Sequence, residues 1–470
     1  MEKFDVAIVG SGPAGYFSAY ELNKLDPNLK ILLIEKGQDI TNRNCPVLAH
    51  KLAKCPANKD NTGCMPACSM ACGFGGAGAY SDGKFNITSE FGGWLSEYID
   101  DDLLLSLINY VDEINLSFGA TPNLVDCGSE FSKMIEKKAI AVGLKLLRAK
   151  VRHLGTDENL KILKAISDYL ATRVEMRFKT KVDDILVKDN KVYGVKVGED
   201  EILADKVILC VGRDGATWLD EVFRKHNIPT INNKVDVGVR VETNNIIMED
   251  INENLYEGKF IYNTSVGTQV RTFCSNPKGQ VVVENEAGTI IANGHSYKDD
   301  KLSSENTNFA LLVSHTFSEP FNEPNKYAHS VSKLANQLSC GSVIVQRYGD
   351  IKLGRRTTDQ RIQEGFVKPT LKEAVPGDLG LILPYNTMKS IIEMIEALDH
   401  ITPGIANEHT LLYGVEAKFY SSRPVVDNKL EVKNIKNLYV GGDGAGITRG
   451  LAQASASGVY IARNIVKGGK

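Results

Sequence analysis

The sequence predicts an α/β protein: a parallel sheet that is split in sequence, with a mixed α+β domain inserted into it. Three observations lead to this prediction. An apolar run at residues 4–9 continues directly into a glycine-rich turn and a helical pattern. A second apolar run with a glycine-rich turn and a helical pattern lies near the end, at residues 438–467. Between them, from about residue 235, the strand-like segments change character. Buried strands that alternate with helices are typical of doubly wound sheets.

Length and composition set the class of protein. At roughly 100–200 residues per domain, 470 residues correspond to two to four domains. A hydrophobic share of 43% and a charged share of 24% exclude a disordered chain. The net charge of -3 provides no general positive field, so we expect no nucleic-acid partner. There is no apolar run near 18 residues and no secretory signal pattern, so we expect no membrane span and a cytoplasmic location.

The first turn carries the pattern of a dinucleotide-binding, Rossmann-like sheet. In Gly10-Ser11-Gly12-Pro13-Ala14-Gly15, the glycines allow a tight turn, close approach of a pyrophosphate and close packing of helix on strand. The helix N-terminus offers free N–H groups to phosphates. Glu35 follows the next strand, 25 residues after Gly10, and we expect it to accept hydrogen bonds from ribose hydroxyls. The alternative is a merely structural turn.

The last turn has a matching arrangement. Asp443 follows a buried strand and two glycines, Gly441 and Gly442, and is placed to reach a sugar-alcohol hydroxyl. The N-terminus of the helix that begins near Gly450 carries a partial positive charge, which favours a ligand group on which negative charge collects. An ordinary strand-to-helix turn is the alternative.

Together these motifs resemble those of the glutathione-reductase-type FAD proteins. Residues 206–212 resemble the strand that precedes the adenine-side glycine in that group. More narrowly, the chain resembles the bacterial and plastid "FAD-dependent dehydrogenase" proteins. The matching segments keep one order along almost the whole chain: 75–84, 152–157, 272–274 with Gly279, 293–296, 412–416 and 443–446.

The resemblance implies an extended FAD. Its adenosine would lie near Glu35 and Val182, its pyrophosphate on residues 10–15, and its ribityl chain at Asp443. The glycine-dense loop 73–84 would pass close to the flavin, although a solvated turn is the alternative for its polar members. The implied FAD contacts are Gly10, Ser11, Gly12, Pro13, Ala14, Gly15, Glu35, Lys36, Gly75, Gly76, Ser81, Asp82, Gly83, Lys84, Val182, Val211, Gly212, Gly442, Asp443, Arg449, Gly450 and Leu451.

Five of the nine cysteines cluster before this loop, at Cys45, Cys55, Cys64, Cys68 and Cys72. Their spacing is neither the dithiol pattern of disulfide reductases nor a paired zinc ribbon. Three interpretations stay open: a metal site or iron–sulfur cluster, buried or free thiols, and a regulatory disulfide. No metal is assigned. Because Cys72 adjoins the glycine loop, we expect the cysteine segment to lie beside the flavin. In one form of this hypothesis, nearby N–H groups stabilise a reactive thiolate there.

Catalytic residues are not identified by any motif, since there is no HExxH pattern and no GxSxG elbow. Three candidates remain. His295 lies in the inserted domain and Arg240 has the chemistry to pair with an anionic substrate. His153 is placed by the resemblance near the flavin face.

The sequence therefore predicts an FAD-binding domain at 1–234, which includes the cysteine-rich segment 38–72 and a helical insert at 95–171. The predicted substrate domain spans residues 235–404, and the rest of the FAD-binding domain spans residues 405–470. We expect an FAD-dependent oxidoreductase that acts on a small organic molecule by hydride or electron transfer. The alternatives are an electron-transfer or redox-sensing flavoprotein with a cysteine-ligated cluster, and flavin-dependent RNA modification. Without a second GxGxxG, NAD(P)H is expected only as a transient donor, and a redox partner is compatible with either class.

Overall fold

The computed structural model describes residues 2–46, 51, 67–81, 83–125, 128–255, 258–286, 288–295 and 303–468. Cys55, Cys64 and Asp82 lie outside these residues. The strands are β1 (Lys3–Val9), β2 (Ile31–Ile34), β3 (Lys84–Ile87), β4 (Leu144–Leu147), β5 (Lys150–His153), β6 (Glu175–Arg177), β7 (Asp184–Lys188), β8 (Lys191–Val197), β9 (Asp200–Leu209), β10 (Thr230–Ile231), β11 (Val235–Asn244), β12 (Lys259–Asn263), β13 (Gln269–Asn276), β14 (Gln280–Glu286), β15 (Thr289–His295), β16 (Asn306–His315), β17 (Ile344–Arg347), β18 (Val375–Pro376), β19 (Leu411–Lys418), β20 (Arg423–Pro424) and β21 (Leu438–Val440).

The helices are α1 (Pro13–Leu25), α2 (Asp101–Ser117), α3 (Glu130–Ala141), α4 (Gly155–Ala171), α5 (Ala216–Lys225), α6 (Asn245–Asn254), α7 (Pro324–Leu338), α8 (Tyr348–Lys352), α9 (Asp359–Glu364), α10 (Tyr385–Asp399) and α11 (Leu451–Lys467). A short 3-10 helix spans Gly76–Tyr80. Within the described part of the chain, no helix has the length and hydropathy that a bilayer crossing requires.

The chain forms two compact units. The first unit comprises Met1–Val125, Ala149–Asn232 and Ser421–Lys470. Its sheet has the order β6-β2-β1-β9-β8-β7, and β21 pairs with the end of β9. Strands β6, β2, β1, β9 and β21 are mutually parallel. Their carboxyl ends therefore lie along one edge, where ligands bind in open parallel sheets. The predicted α/β class with a parallel sheet split in sequence is confirmed.

Helices α1 and α11 pack closely on this sheet. Gly458 permits their approach, because a Cβ there would lie 2.1 Å from the carbonyl oxygen of Ala14. Ser18 donates its hydroxyl to the carbonyl of Gly458 at 3.1 Å, which joins the two helices at the same point. The N- and C-terminal parts of the chain thus share one hydrophobic core.

The second unit comprises Asp126–Arg148 and Asn233–Tyr420. Its sheet has the order β18-β17-β19-β11-β16-β13-β12-β4, with β17–β18 as its parallel pair. The pairs around the central strand β11 are antiparallel. This sheet therefore differs from the parallel kind that binds dinucleotides. Strands β14 and β15 form a separate hairpin.

Three sequence predictions are corrected here. The second unit extends to residue 420 rather than 404, because β19 pairs with β11 along Asp236–Glu242. The predicted helical insert 95–171 is divided, since residues 126–148 join the second unit. The polar composition of residues 298–309 predicts a loop, but from Asn306 onward the chain forms the buried strand β16. Polar side chains there are hydrogen-bonded inside the unit, which composition does not reveal.

Candidate functional site

The turn after β1 has the backbone that its glycines predict. Gly10 has a φ of +100°, which side chains rarely allow, and a Cβ at Gly15 would lie 1.8 Å from the Gly10 carbonyl oxygen. Gly12 is different, because a Cβ there would have nothing nearer than the Cα of Gly76 at 4.0 Å. Gly12 caps helix α1 without a side-chain hydrogen bond. The start of α1 thus has room beside Gly12 for an anionic group, which the N–H groups and the positive end of the helix dipole would favour.

The glycine-rich loop lies against this turn. The N–H of Gly75 donates to the carbonyl of Ser11 at 2.8 Å. A Cβ at Gly76 would lie 3.2 Å from the Cα of Gly12, and one at Gly78 would lie 2.4 Å from a methyl group of Leu451. The loop therefore joins the start of α1 to the start of α11, and side chains at these glycines would push them apart.

Arg43 holds the loop in place, and sequence reasoning missed it. Its buried guanidinium donates to the carbonyls of Phe74 at 2.6 Å and Gly76 at 2.8 Å. It also donates to the carbonyls of Ser69 and Met70. The sequence carries no signal for this role, because the partners are backbone atoms about 30 residues away in sequence.

The turn after β21 meets the turn after β9. The N–H of Gly444 donates to the carbonyl of Val211 at 3.2 Å. The half-buried Asp443 accepts hydrogen bonds from the Thr448 hydroxyl at 2.7 Å and from the N–H of Gly450 at 3.0 Å. Burial raises the pKa of Asp443, and these two hydrogen bonds oppose that rise. Asp443 thus fixes the start of α11, and its Oδ2 atom retains capacity for a further donor.

Helix α11 begins without a side-chain cap. Gly450 has a φ of +104°, and a Cβ there would have no atom within 4 Å. Arg449 donates its backbone N–H to the carbonyl of Gly92 at 2.6 Å, which anchors the segment before the helix. The arrangement leaves the positive end of α11 open beside Asp443.

Glu35 is already saturated within the protein. Its Oε2 accepts hydrogen bonds from the N–H of Ser11 at 2.9 Å and the Ser11 hydroxyl at 3.0 Å. Its Oε1 accepts from the N–H groups of Gly37 at 2.8 Å and Gly73 at 3.0 Å. Only 6% of the residue is exposed. A carboxylate has about four lone-pair positions, so this geometry does not fit the expected ribose contact of Glu35.

Lys36, Asp214 and Cys72 form a cluster beside Glu35. Lys36 Nζ forms an ion pair with Oδ2 of Asp214, and the thiol of Cys72 donates to the same oxygen at 3.2 Å. Burial raises the pKa of the Cys72 thiol, the Lys36 ammonium opposes this rise, and the neighbouring Asp214 carboxylate adds to it. The hydrogen bond to Asp214 and the raised pKa favour the thiol form of Cys72 over the stabilised thiolate that we expected there.

The other predicted FAD contacts take varied places. Ser81 donates its hydroxyl to the carbonyl of Gly78 at 2.7 Å and accepts from the N–H of Gly83 at 3.2 Å, so it shapes the loop. Val182 is buried in the segment after β6. In that segment, the N–H of Thr180 donates to the carbonyl of Glu35 at 3.0 Å. The proposed adenosine contacts at Glu35 and Val182 thus belong to neighbouring segments.

The cysteine segment is described only in part. Cys45, Cys68 and Cys72 form no disulfide. Among the residues that the structure describes, no group of three or more His, Cys, Asp or Glu side chains could hold a metal ion. With Cys55 and Cys64 outside the described ranges, the convergence of the five thiols stays a prediction.

The three candidate catalytic side chains lie in different environments. His153 in β5 lies opposite Lys84 in β3, and it is half-buried. His295 ends strand β15 and is exposed. The guanidinium of Arg240 is fully buried and donates to Asn308 at 2.8 Å and to the carbonyl of Cys274 at 3.1 Å. Arg240 therefore has no surface to offer a substrate here, contrary to the sequence prediction.

Comparison with known proteins supports the flavin assignment. Residues 234–419, less than half of the chain, match the family described as FAD-dependent protein, C-terminal domain-like. An uncharacterized protein of Clostridium beijerinckii is 27% identical over 485 residues, which covers 98% of this chain and 80% of that protein. The family match supports the expectation of an FAD-dependent oxidoreductase.

The solved structures that match this chain have low sequence identity and low TM-scores. Pyridoxine 4-oxidase from Mesorbium loti has a TM-score of 0.44 and 13% identity, and the match covers 99% of each chain. Glycine oxidase from Geobacillus kaustophilus has a TM-score of 0.40 and 12% identity, covering 99% of this chain and 95% of that one. At these TM-scores the likenesses carry no argument about substrate or reaction.

Proposed function

We propose that this chain is an FAD-dependent oxidoreductase that acts on a small organic substrate. The observation that carries the proposal is the meeting of three glycine-rich segments at the carboxyl edge of the parallel sheet. The loop at Gly75 and Gly76 lies on the turn at Gly12, and Gly78 lies on Leu451 at the start of α11. Two uncapped helix N-termini open at this edge.

Different residues at this edge would bind different parts of FAD. The first turn of α1 offers N–H groups to a pyrophosphate, and Gly12 leaves the room for it. Asp443 Oδ2 has capacity for a ribityl hydroxyl, and the positive end of α11 favours negative charge on the ring system. When bound, FAD supplies hydride or electron transfer, while the protein supplies orientation and electrostatics.

We propose NAD(P)H as a transient electron donor without a binding domain of its own, because the sheet around β11 in the second unit is antiparallel. The proposal assigns no ligands to a cysteine-ligated cluster, because the Cys72 thiol is hydrogen-bonded to Asp214 and Cys55 and Cys64 lie outside the described residues. Anaerobic mixing with NADH or NADPH tests the donor, since bleaching of the flavin absorbance reports reduction directly.

Reconstitution with cofactor tests the proposal. Added FAD should raise the thermal midpoint of apoprotein more than FMN does, because FMN lacks the AMP half that the turn at Gly12 binds. Gly12→Ala should fold normally, since the new Cβ meets no protein atom within 3.9 Å, yet bind FAD roughly tenfold or more weakly. Equal stabilisation by FAD and FMN, or by neither, would contradict the proposal.

Gly15→Ala is the matched control for the glycine turn. Its Cβ would lie 1.8 Å from the Gly10 carbonyl oxygen, so the turn itself must move. We expect it to lower the thermal midpoint even without FAD. A Gly12 variant that unfolds in the same way would show that the loss of flavin has a structural cause.

A further inference from the structure

Among the described residues, two carboxylates lie at the adenosine end of the proposed site, Glu35 and Asp214, and they differ in their capacity to accept a further hydrogen bond. Glu35 accepts four hydrogen bonds, from Ser11, Gly37 and Gly73, and is 6% exposed. Because a carboxylate has about four lone-pair positions, a ribose hydroxyl would have to displace one of these donors. Three of the four donors are backbone N–H groups, and a displaced N–H would be buried without a partner, which is costly.

Asp214 has the capacity that Glu35 lacks. Its Oδ2 accepts the hydrogen bonds of Lys36 and Cys72, while Oδ1 accepts none from the described residues. The side chain is 35% exposed, so the carboxylate is partly open to solvent. The Lys36 ammonium also neutralises Asp214 and lowers the pKa of its carboxyl against the opposing effect of burial. An anionic dinucleotide would therefore meet an ionised acceptor without net repulsion.

The two charged residues lie on opposite sides of the glycine turn. Lys36 comes shortly after β2 and Asp214 comes shortly after β9, and these strands are the two neighbours of β1. Their ion pair therefore spans the end of β1, where Gly10 begins the turn. This is the edge at which parallel sheets bind nucleotides.

We infer that Asp214, held by Lys36 and Cys72, receives the ribose hydroxyls of the adenosine half of FAD, and that Glu35 is a positioning residue. The inference rests on the proposed function. Glu35 acts through Ser11 and Gly73, because its hydrogen bonds join the turn after β1 to the glycine-rich loop. The nucleotide contact and the structural anchor are thus separate carboxylates.

The test pairs protein variants with a ribose-modified ligand. Apoprotein is titrated with FAD and with the FAD analogue whose adenosine ribose lacks its 2′- and 3′-hydroxyls, and quenching of flavin fluorescence reports binding. For the unaltered protein we expect the analogue to bind roughly 10- to 100-fold more weakly, as for a hydrogen bond to a charged acceptor. Asp214→Ala should bind both ligands with nearly equal Kd values.

Two matched variants separate contact from positioning. Glu35→Gln should weaken both ligands together and keep their ratio. Lys36→Met, which removes the ion pair and leaves Oδ1 of Asp214 in place, should also keep the ratio. Asp214→Ser, which retains a hydrogen-bond partner for Lys36, repeats the measurement if circular dichroism shows that the alanine variant is misfolded.

The ratio of the two Kd values decides the inference. If Asp214→Ala discriminates between the ligands as the unaltered protein does, or if Glu35→Gln abolishes discrimination, the inference is wrong while the proposed function stands. If the unaltered protein does not bind FAD, both are wrong.

Discussion

The carboxylate of Glu35 accepts a hydrogen bond from the backbone N–H of Gly73 at 3.0 Å, across 38 residues of sequence. The same carboxylate accepts the N–H of Ser11 at 2.9 Å. One buried side chain therefore connects the end of β2, the turn after β1 and the glycine-rich loop. The three segments that would enclose a dinucleotide depend on this connection before any ligand is present.

Glu35→Gln should destabilise the apoprotein. An amide group presents donors as well as an acceptor, so at least one of the four present donors loses its partner inside the protein. We expect the free energy of unfolding to fall by about 2 kcal/mol, as for a buried donor left unsatisfied. Urea unfolding without FAD measures this, with the exposed Glu199→Gln as the control. A variant as stable as the control would show that the four hydrogen bonds contribute little.

Arg43→Lys should loosen the glycine-rich loop. The guanidinium donates to the carbonyls of Phe74 and Gly76 at once, and an ammonium cannot reproduce that fork. We expect faster amide hydrogen exchange at Gly75 and Gly76 and weaker FAD binding. Arg173→Lys, at an exposed position, is the matched control. Unchanged exchange in the loop would mean that the fork is not what holds it.

Asp236 should make the second unit sensitive to acid. Burial alone would raise the pKa of its carboxyl, but the Arg271 guanidinium and hydrogen bonds from Ser314 and Tyr420 outweigh burial and lower it. A lowered pKa stabilises the folded state above the unfolded-state value, near ~3.9, and this stabilisation is lost as pH falls through the folded-state value.

Asp236→Asn should therefore cost roughly 3 kcal/mol at neutral pH, the lower end for removing one partner of a buried ion pair. The difference between variant and unaltered protein should shrink steadily below about pH 4. Urea unfolding at a series of pH values measures it. A difference that stays constant with pH would mean that the cost comes from packing rather than charge.

Cys72 should resist alkylation. The thiol is buried, its pKa is raised by burial, and it donates a hydrogen bond to Asp214. Cys340 is exposed, so iodoacetamide should label Cys340 to completion before Cys72 reacts. Peptide mass spectrometry after timed quenching distinguishes the two sites. Early labelling at Cys72 would support the reactive thiolate that the position of Cys72 beside the glycine loop predicts.

Much of the first unit could be predicted because its signals are local. Asp100 stands directly before a helical pattern, which predicts an N-cap, and its side chain accepts the N–H of Leu103 at 2.8 Å at the start of α2. The apolar pattern of residues 144–151 predicts a single strand, and this prediction is wrong. These residues form β4 and β5 in different sheets, because the partners of β4 and β5, at Lys259–Tyr262 and Lys84–Ile87, lie far away in sequence.

The sequence by itself determined where the chain must turn and which residues have special backbones. Gly10 and Gly15 are required by a positive φ and by a contact of 1.8 Å within one short segment, and such needs show in a local pattern. Only the tertiary structure decided which carboxylate is free. Glu35 matches a ribose acceptor in the sequence pattern, yet N–H groups from Gly37 and the distant Gly73 occupy it, while one oxygen of Asp214 accepts no hydrogen bond from the described residues. Hydrogen-bond capacity depends on which groups folding brings within 3 Å, and those groups are not neighbours in the chain.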